Sequence, residues 1–118
     1  MKRITIIFLF FALGTSQLFA QYFVEQSKEI GIDHAYLARG LTGGGAAFFD
    51  YDNDGDEDLY ITTGTIQKDF IYENNGDGTF TKVLDDLGLS ITRTYNTVAV
   101  TTGDIDNDGD RDLFVTTW

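Results

Sequence analysis

The chain has 118 residues, a formal net charge of −11 at pH 7 and no cysteine. Its length gives room for about one small domain. The negative charge argues against nucleic acid and anionic membrane surfaces as partners, because both repel acidic proteins. The lack of cysteine excludes disulfide bonds, thiolate metal sites and a cysteine nucleophile.

The N-terminal segment, residues 1–20, has the pattern of a secretory signal peptide. Lys2 and Arg3 form a basic start, an apolar run follows from Ile4 to Leu13, and Ala20 closes the segment with a small side chain. The run has about ten residues, whereas a membrane-spanning helix needs roughly 20, so we expect cleavage and export rather than an anchor. Cleavage leaves six basic and nineteen acidic residues, a formal net charge of −13 for the mature chain.

Two acidic stretches hold eleven of the nineteen acidic residues and are near copies of each other. DYDNDGDEDLYITT begins at Asp50, and DIDNDGDRDLFVTT begins at Asp104. Clustered carboxylates repel one another, so such a stretch folds tightly only when a cation or hydrogen-bond donors neutralise it. A small exported domain without disulfides also needs another means of stabilisation, and bound cations would supply it.

The mature chain, residues 21–118, is predicted to be a repeat. A second pair of similar segments begins at Phe23 and Phe80, and its spacing is close to that of the two acidic stretches. A regular spacing of this size is typical of repeat architectures, in which stacked units share a core.

Each unit is predicted to be all β, because short apolar, aromatic and β-branched runs alternate with turn residues. Asn75-Gly76-Asp77-Gly78 suits a tight hairpin, and one helical turn is expected from Leu84 to Gly88. Tyr22–Val24 matches a fourth strand of a preceding unit. The other predicted strands are 46–49, 59–63, 70–73 and 79–83 in the complete unit, then 97–102 and 113–117 in the next.

Four-stranded units repeated around an axis are the blades of a β-propeller, which typically has four to eight of them. The predicted fold is therefore all-β and propeller-type, with about one complete blade and parts of two others. One complete blade and two partial blades suggest that the chain is a fragment of a larger propeller.

Both acidic stretches match the way a loop binds calcium, which takes six to eight oxygen ligands, often from alternate residues, with glycine at the sharp turn. Gly55 and Gly109 stand at the sixth position, where a positive φ is expected. Asn53 and Asn107 occupy even positions and are expected to hydrogen-bond within the loops. The predicted ligands are the side chains of Asp50, Asp52, Asp54 and Asp58 with the carbonyl of Asp56, and those of Asp104, Asp106, Asp108 and Asp112 with the carbonyl of Asp110.

Two other kinds of metal site fit these loops less well. An EF-hand needs a bidentate Glu at position twelve and a following helix, but Ile61 and Val115 stand there within strand-like sequences. Magnesium is disfavoured because it demands tight octahedral geometry and keeps its water. Solvated acidic turns without metal remain the alternative.

The stretch GGGAAFFDYDNDGDEDLYITTG and the hairpin IYENNGDGTF resemble the FG-GAP or VCBS-type propeller repeat. More narrowly, they resemble the acidic exported proteins related to cartilage acidic protein, which often carry an ASPIC/UnbV region; no such region is visible here. The resemblance covers residues 22–118. It implies that the aspartate loop between the first two strands of a blade binds calcium.

These observations favour a secreted or cell-surface module with about two structural calcium ions, used in recognition or adhesion with an extracellular protein or glycan. No enzymatic role is expected, because no serine stands in a G-x-S-x-G setting and no glycine loop is placed to cradle phosphate. His34, the only histidine, is expected at the surface. The alternative is a fragment of a secreted propeller enzyme acting on polysaccharide, with catalytic residues outside this segment.

Overall fold

The computed structural model describes residues 23–37 and 43–118, so the predicted signal peptide lies outside the described residues. No helix among the described residues is long and apolar enough to cross a membrane. The elements, in chain order, are β1 (Ala46–Phe49), β2 (Asp58–Ile61), β3 (Phe70–Asn74), β4 (Phe80–Lys82), a 3₁₀-helix (Leu89–Thr94), β5 (Thr97–Gly103) and β6 (Asp112–Thr117).

The strands form two antiparallel sheets, which confirms the all-β, propeller-type prediction. The first sheet has the order β1-β2-β3-β4 and the second pairs β5 with β6. Phe49 pairs with Asp58 and Gly103 with Asp112, so each acidic loop is the connection of a hairpin. The strands after the loops begin one residue earlier than predicted, because the last aspartate of each loop already pairs across the hairpin.

Two predicted elements are wrong. The helical turn expected from Leu84 to Gly88 is absent, and a 3₁₀-helix begins after it. Leu87 and Gly88 have φ angles of 45° and 79°, and left-handed residues cannot continue a right-handed turn. Phe23 and Val24 lie in no strand, and Phe23 is fully exposed. Tyr22 lies outside the described residues.

Side chains alternate between the two faces of each sheet. Because the two sheets are repeats of each other, equivalent faces receive the same name, A or B. Face A of the first sheet bears Ala47, Phe49, Tyr60 and Ile71, and its face B bears Ala46, Phe48, Leu59, Ile61, Phe70 and Tyr72. At the equivalent repeat positions in β5 and β6, face A of the second sheet bears Ala99, Thr101 and Phe114, and its face B bears Val100, Leu113 and Val115.

The core lies between the two sheets. Phe49, Tyr60 and Ile71 on face A of the first sheet are buried, and Val100, Leu113 and Val115 on face B of the second sheet pack against them. Burying a large apolar side chain contributes roughly 1.5–3 kcal/mol, so this stacking is a main source of stability. Leu89 of the 3₁₀-helix also packs against this core.

The other face of the first sheet, face B, is covered only in part. The segment before β1 lies on its outer strands, where the Phe80 N–H donates to the Ile30 carbonyl (2.7 Å) and the Tyr72 hydroxyl donates to the Asp33 carbonyl (3.0 Å). In the part of the chain that the structure describes, Phe48 of the innermost strand is 56% exposed.

A buried polar network joins the two sheets at Asp69, in the loop between β2 and β3. The fully buried Asp69 carboxylate accepts hydrogen bonds from the Tyr60 hydroxyl (2.8 Å), the Thr63 N–H (2.8 Å) and the Thr97 hydroxyl (2.8 Å). Burial, followed by the contact with Asp69, raises the pKa of Tyr60. The phenol therefore stays protonated and remains a donor.

Candidate metal centre

The first acidic loop folds around the carboxylate of its first aspartate. The Asp54 and Gly55 N–H groups donate to the two oxygens of Asp50, at 3.1 and 2.9 Å. Asp54 in turn accepts the N–H of Asp56 at 2.9 Å. These bonds curl the main chain inward and bring acidic side chains to one side of the loop.

The second loop repeats this hydrogen-bond pattern at equivalent positions. Asp104 accepts the N–H groups of Asp108 and Gly109, each at 3.2 Å. Asp108 accepts the N–H of Asp110 at 3.0 Å. The two loops therefore share one internal geometry as well as one sequence.

Positive φ angles occur where the motif has Asn and Gly. Gly55 and Gly109 have φ angles of 98° and 100°, which confirms the predicted sharp turn. Asn53 and Asn107 both have φ of 62°, and asparagine tolerates this left-handed conformation better than most residues. Their side chains make no hydrogen bond among the described residues, so the expected bonds within the loops are not found there.

Three carboxylates meet in each loop. One oxygen from each of Asp50, Asp52 and Asp54 lies within 4.8 Å of the others, and the second loop does the same with Asp104, Asp106 and Asp108. Two ligands at about 2.4 Å from one calcium ion are at most about 4.8 Å apart. The donor set and its spacing could therefore hold a metal ion of this size in each loop.

The charges in the first loop are poorly compensated by protein groups alone. Desolvation, followed by the neighbouring charge of Asp54, raises the pKa of Asp52. A raised carboxyl pKa is the direction expected where negative charges are brought together without a cation. A bound divalent ion would remove this repulsion.

The ninth aspartate of each loop has a different environment from the three that meet. Asp58 is fully buried, and its two oxygens accept the N–H groups of Tyr51 (3.0 Å) and Asn74 (2.8 Å). Asp112 accepts the N–H of Ile105 at 2.8 Å. These carboxylates close the hairpins by hydrogen bonds and are not in the groups of three.

The remaining two predicted ligands, Asp56 and Asp110, are exposed and were expected to contribute main-chain carbonyls. Their side chains also stand outside the groups of three. Each loop thus brings together the side chains at positions one, three and five.

His34 is not the surface residue that the sequence suggested. Both ring nitrogens are buried without a hydrogen-bond partner among the described residues. The ring packs edge-on against the Phe70 ring, with 6.4 Å between the two ring centroids. Burial lowers the pKa of His34, and Lys82 adds to this lowering, whereas the main chain of Thr62 opposes it. The imidazole is therefore neutral at pH 7.

A cavity of about 280 Å³ lies beside this histidine on face B of the first sheet, lined by His34, Tyr36, Gly44, Gly45, Ala46, Ile61 and Thr62. No sequence signal points to it directly, because the lining residues come from three separated segments. Some of the lining residues precede the first unit and the others belong to it, and only the folded chain brings them together on one face.

Comparison with known proteins adds one match. A family model for FG-GAP-like repeats matches residues 50–115, a span that includes both acidic loops and the strands β2 to β5. No match is found among curated proteins or among solved structures.

Proposed function

Because the chain belongs to the FG-GAP-like repeat family, we propose that it is an exported, calcium-binding β-propeller repeat module. Calcium occupies both acidic loops in this proposal and has a structural role. The observation that carries it is the pair of loops with the same hydrogen-bond pattern and the same three converging carboxylates.

The effect of the metal on folding follows from the position of the loops. Each loop joins the two strands that open a unit, so ordering it stabilises the hairpin and the core beside it. With a dissociation constant near 10⁻⁴ M and about 1 mM calcium, each site adds about 1.4 kcal/mol to the free energy of unfolding. Typical domains have only about 5–15 kcal/mol in total, so two sites matter.

Calcium removal tests the proposal directly. We expect EDTA to lower the Tm of the chain and excess calcium to restore it, with magnesium giving a smaller shift. Titration calorimetry should count about two sites. An unchanged Tm in EDTA would contradict structural calcium.

A matched pair of double variants locates the effect in the converging carboxylates. Asp54→Ala with Asp108→Ala removes one member of each group of three and should abolish the calcium response. Asp56→Ala with Asp110→Ala removes the same charge from the same loops but leaves the groups of three intact, so it should keep most of the response. Equal loss in both double variants would favour a general charge effect over defined sites.

Export, recognition and the narrower family relation complete the proposal. The support for export is the N-terminal pattern that ends at Ala20; mass spectrometry of the secreted chain should give Gln21 as its first residue. The narrower relation to cartilage acidic protein-like proteins rests on the quoted motifs. The proposed use is recognition or adhesion with an extracellular protein or glycan, and the module itself is not an enzyme.

A further inference from the structure

The exit of the first acidic loop is fixed from outside the loop, by the end of strand β3. Asn74 is the last residue of β3. It donates its N–H to the Asp58 carboxylate (2.8 Å) and its side-chain Nδ2 to the Glu57 carbonyl (3.2 Å). A single residue of β3 therefore holds two consecutive residues at the point where the loop leads into β2.

The same side chain also fixes the β3–β4 turn, which consists of residues 75–79. The Oδ1 atom of Asn74 accepts the N–H of Gly76 at 3.1 Å. The turn lies against the loop, because an added Cβ atom at Gly76 would stand 2.9 Å from the Asp56 Oδ2 atom. Asn74 thus bridges the loop and the turn with the two polar atoms of its side chain.

The exit of the loop carries the predicted ligands that lie outside the group of three. The converging carboxylates at positions one, three and five offer one oxygen each, whereas calcium takes six to eight. The Asp56 carbonyl and the Asp58 carboxylate are the further ligands that the sequence predicts from this loop. A carboxylate oxygen that accepts one N–H bond keeps a second lone pair for a cation. The hydrogen bonds at the exit are therefore compatible with metal binding there.

We propose that Asn74 is a positioning residue for calcium in the first loop, and that this loop and the β3–β4 turn become ordered together when calcium binds. The inference rests on the proposed calcium binding and concerns what sets the affinity of one site. Partners that orient metal ligands typically change metal affinity about 10–100-fold when they are removed. The coupling is reciprocal, so calcium must stabilise the turn as much as the turn strengthens calcium binding.

Asn75 provides a matched control, because it has the same side chain and stands next to Asn74. Its Nδ2 donates to the Thr79 hydroxyl oxygen (2.9 Å), and its Oδ1 accepts the Thr81 hydroxyl (3.1 Å). Each asparagine thus makes two side-chain hydrogen bonds, but those of Asn75 stay within the hairpin. Asn75→Ala should weaken the hairpin without touching the acidic loop.

A calcium titration of the full chain, followed by NMR, tests the proposal one loop at a time. The amide signals of Gly55 and Gly109, the sixth residues of the two loops, give a separate Kd for each loop. Asn74→Ala should raise the Kd measured at Gly55 by about tenfold and leave the Kd measured at Gly109 unchanged. Asn75→Ala should leave both Kd values unchanged.

Amide hydrogen exchange measures the reciprocal effect of calcium on the turn. In the wild type, calcium should slow the exchange of the Gly76 N–H, which is bonded to the Asn74 side chain. Asn74→Ala should remove this calcium-dependent slowing, whereas Asn75→Ala should keep it. A role of Asn74 in folding alone would not make the exchange at Gly76 depend on calcium.

An unchanged Kd at Gly55 in Asn74→Ala, or an equal loss at both loops, would overturn the proposal. Equal effects of Asn74→Ala and Asn75→Ala at Gly55 would overturn it too. If Asn74→Ala does not fold, exchange in the wild type decides, because Gly76 must then exchange more slowly with calcium. A wild-type chain whose loop signals do not respond to calcium would instead refute calcium binding itself, before any Asn74 variant is compared.

Discussion

At the residue scale, Gly109 is required by its backbone angle, and Gly103 serves as the comparison. Within the described ranges, neither has an atom within 4 Å of an added Cβ atom, but only Gly109 has a left-handed φ, of 100°. We expect Gly109→Ala to lower the free energy of unfolding by about 1–2 kcal/mol. Gly103→Ala should be neutral or slightly stabilising. Urea denaturation of both variants checks this, and equal effects would contradict it.

Asp69 is a residue whose importance comes from contacts that are distant in the sequence. Its carboxylate satisfies three buried donors, one of which belongs to Thr97 in β5. Asp69→Ala leaves the Tyr60 hydroxyl and the Thr63 N–H without an acceptor and should cost about 3 kcal/mol. Tyr60→Phe removes a single hydrogen bond and should cost about 1 kcal/mol.

Chemical denaturation in EDTA and in calcium measures the free energy of unfolding of the Asp69→Ala and Tyr60→Phe variants. The losses should be similar in the two conditions, because Asp69 lies outside the acidic loops. A loss seen only with calcium would show that Asp69 acts through the metal instead.

The two kinds of residue differ in how far the sequence predicts them. Gly55 follows from its place in the D-x-D-x-D-G pattern, and its positive φ is found as expected. Nothing in the sequence around Asp69 distinguishes it from a solvated loop aspartate. Its role depends on Thr97, which belongs to the next repeated unit, and local patterns carry no information about such a contact.

At the element scale, the hairpin between β3 and β4 gives a pH prediction. The Asp77 carboxylate accepts hydrogen bonds from the N–H (2.9 Å) and hydroxyl (2.6 Å) of Thr79. These contacts lower the pKa of Asp77 below its ordinary value of 3.8. A lowered folded-state pKa gives stability that is present above the ordinary value and is lost as the pH falls through the folded-state value.

The Asp77→Asn variant should therefore show a flatter fall in Tm below about pH 4 than the wild type, measured in EDTA. Thr79→Val removes the hydroxyl donor and should flatten the profile by a smaller amount, because the N–H bond remains. Identical profiles for the wild type and Asp77→Asn would contradict the role of this carboxylate.

Elements whose signal is local were predicted well. The hairpin turn is found with Gly76 and Gly78 at φ of 71° and 87°, and all six strands occur near their predicted ranges. The two elements that were predicted wrongly depend on more than the local sequence pattern. The helical turn is displaced by the left-handed Leu87 and Gly88, and a strand at Phe23 would need a neighbouring strand to pair with.

At the scale of the whole molecule, the repeat predicted that units would stack, but not which faces would meet. The structure shows which faces pack together through the close approach of β1 to β5, where small residues allow the main chains to come into contact. Gly45 is the decisive position, because an added Cβ atom would lie 2.7 Å from Ala99 Cα and 2.8 Å from Val100 N. Both neighbours are main-chain atoms, so displacing them costs more free energy than rotating a flexible side chain would.

Gly45→Ala should therefore separate the two sheets while leaving each acidic loop intact. The wild type should unfold in one calorimetric transition, because the core is shared between the sheets. The variant should lose about 1–3 kcal/mol and show a broadened or split transition. Gly43→Ala is the matched control, since an added Cβ atom there meets none of the described residues within 4 Å; it should unfold like the wild type. A single sharp transition at unchanged Tm in Gly45→Ala would mean that the two sheets do not depend on this contact.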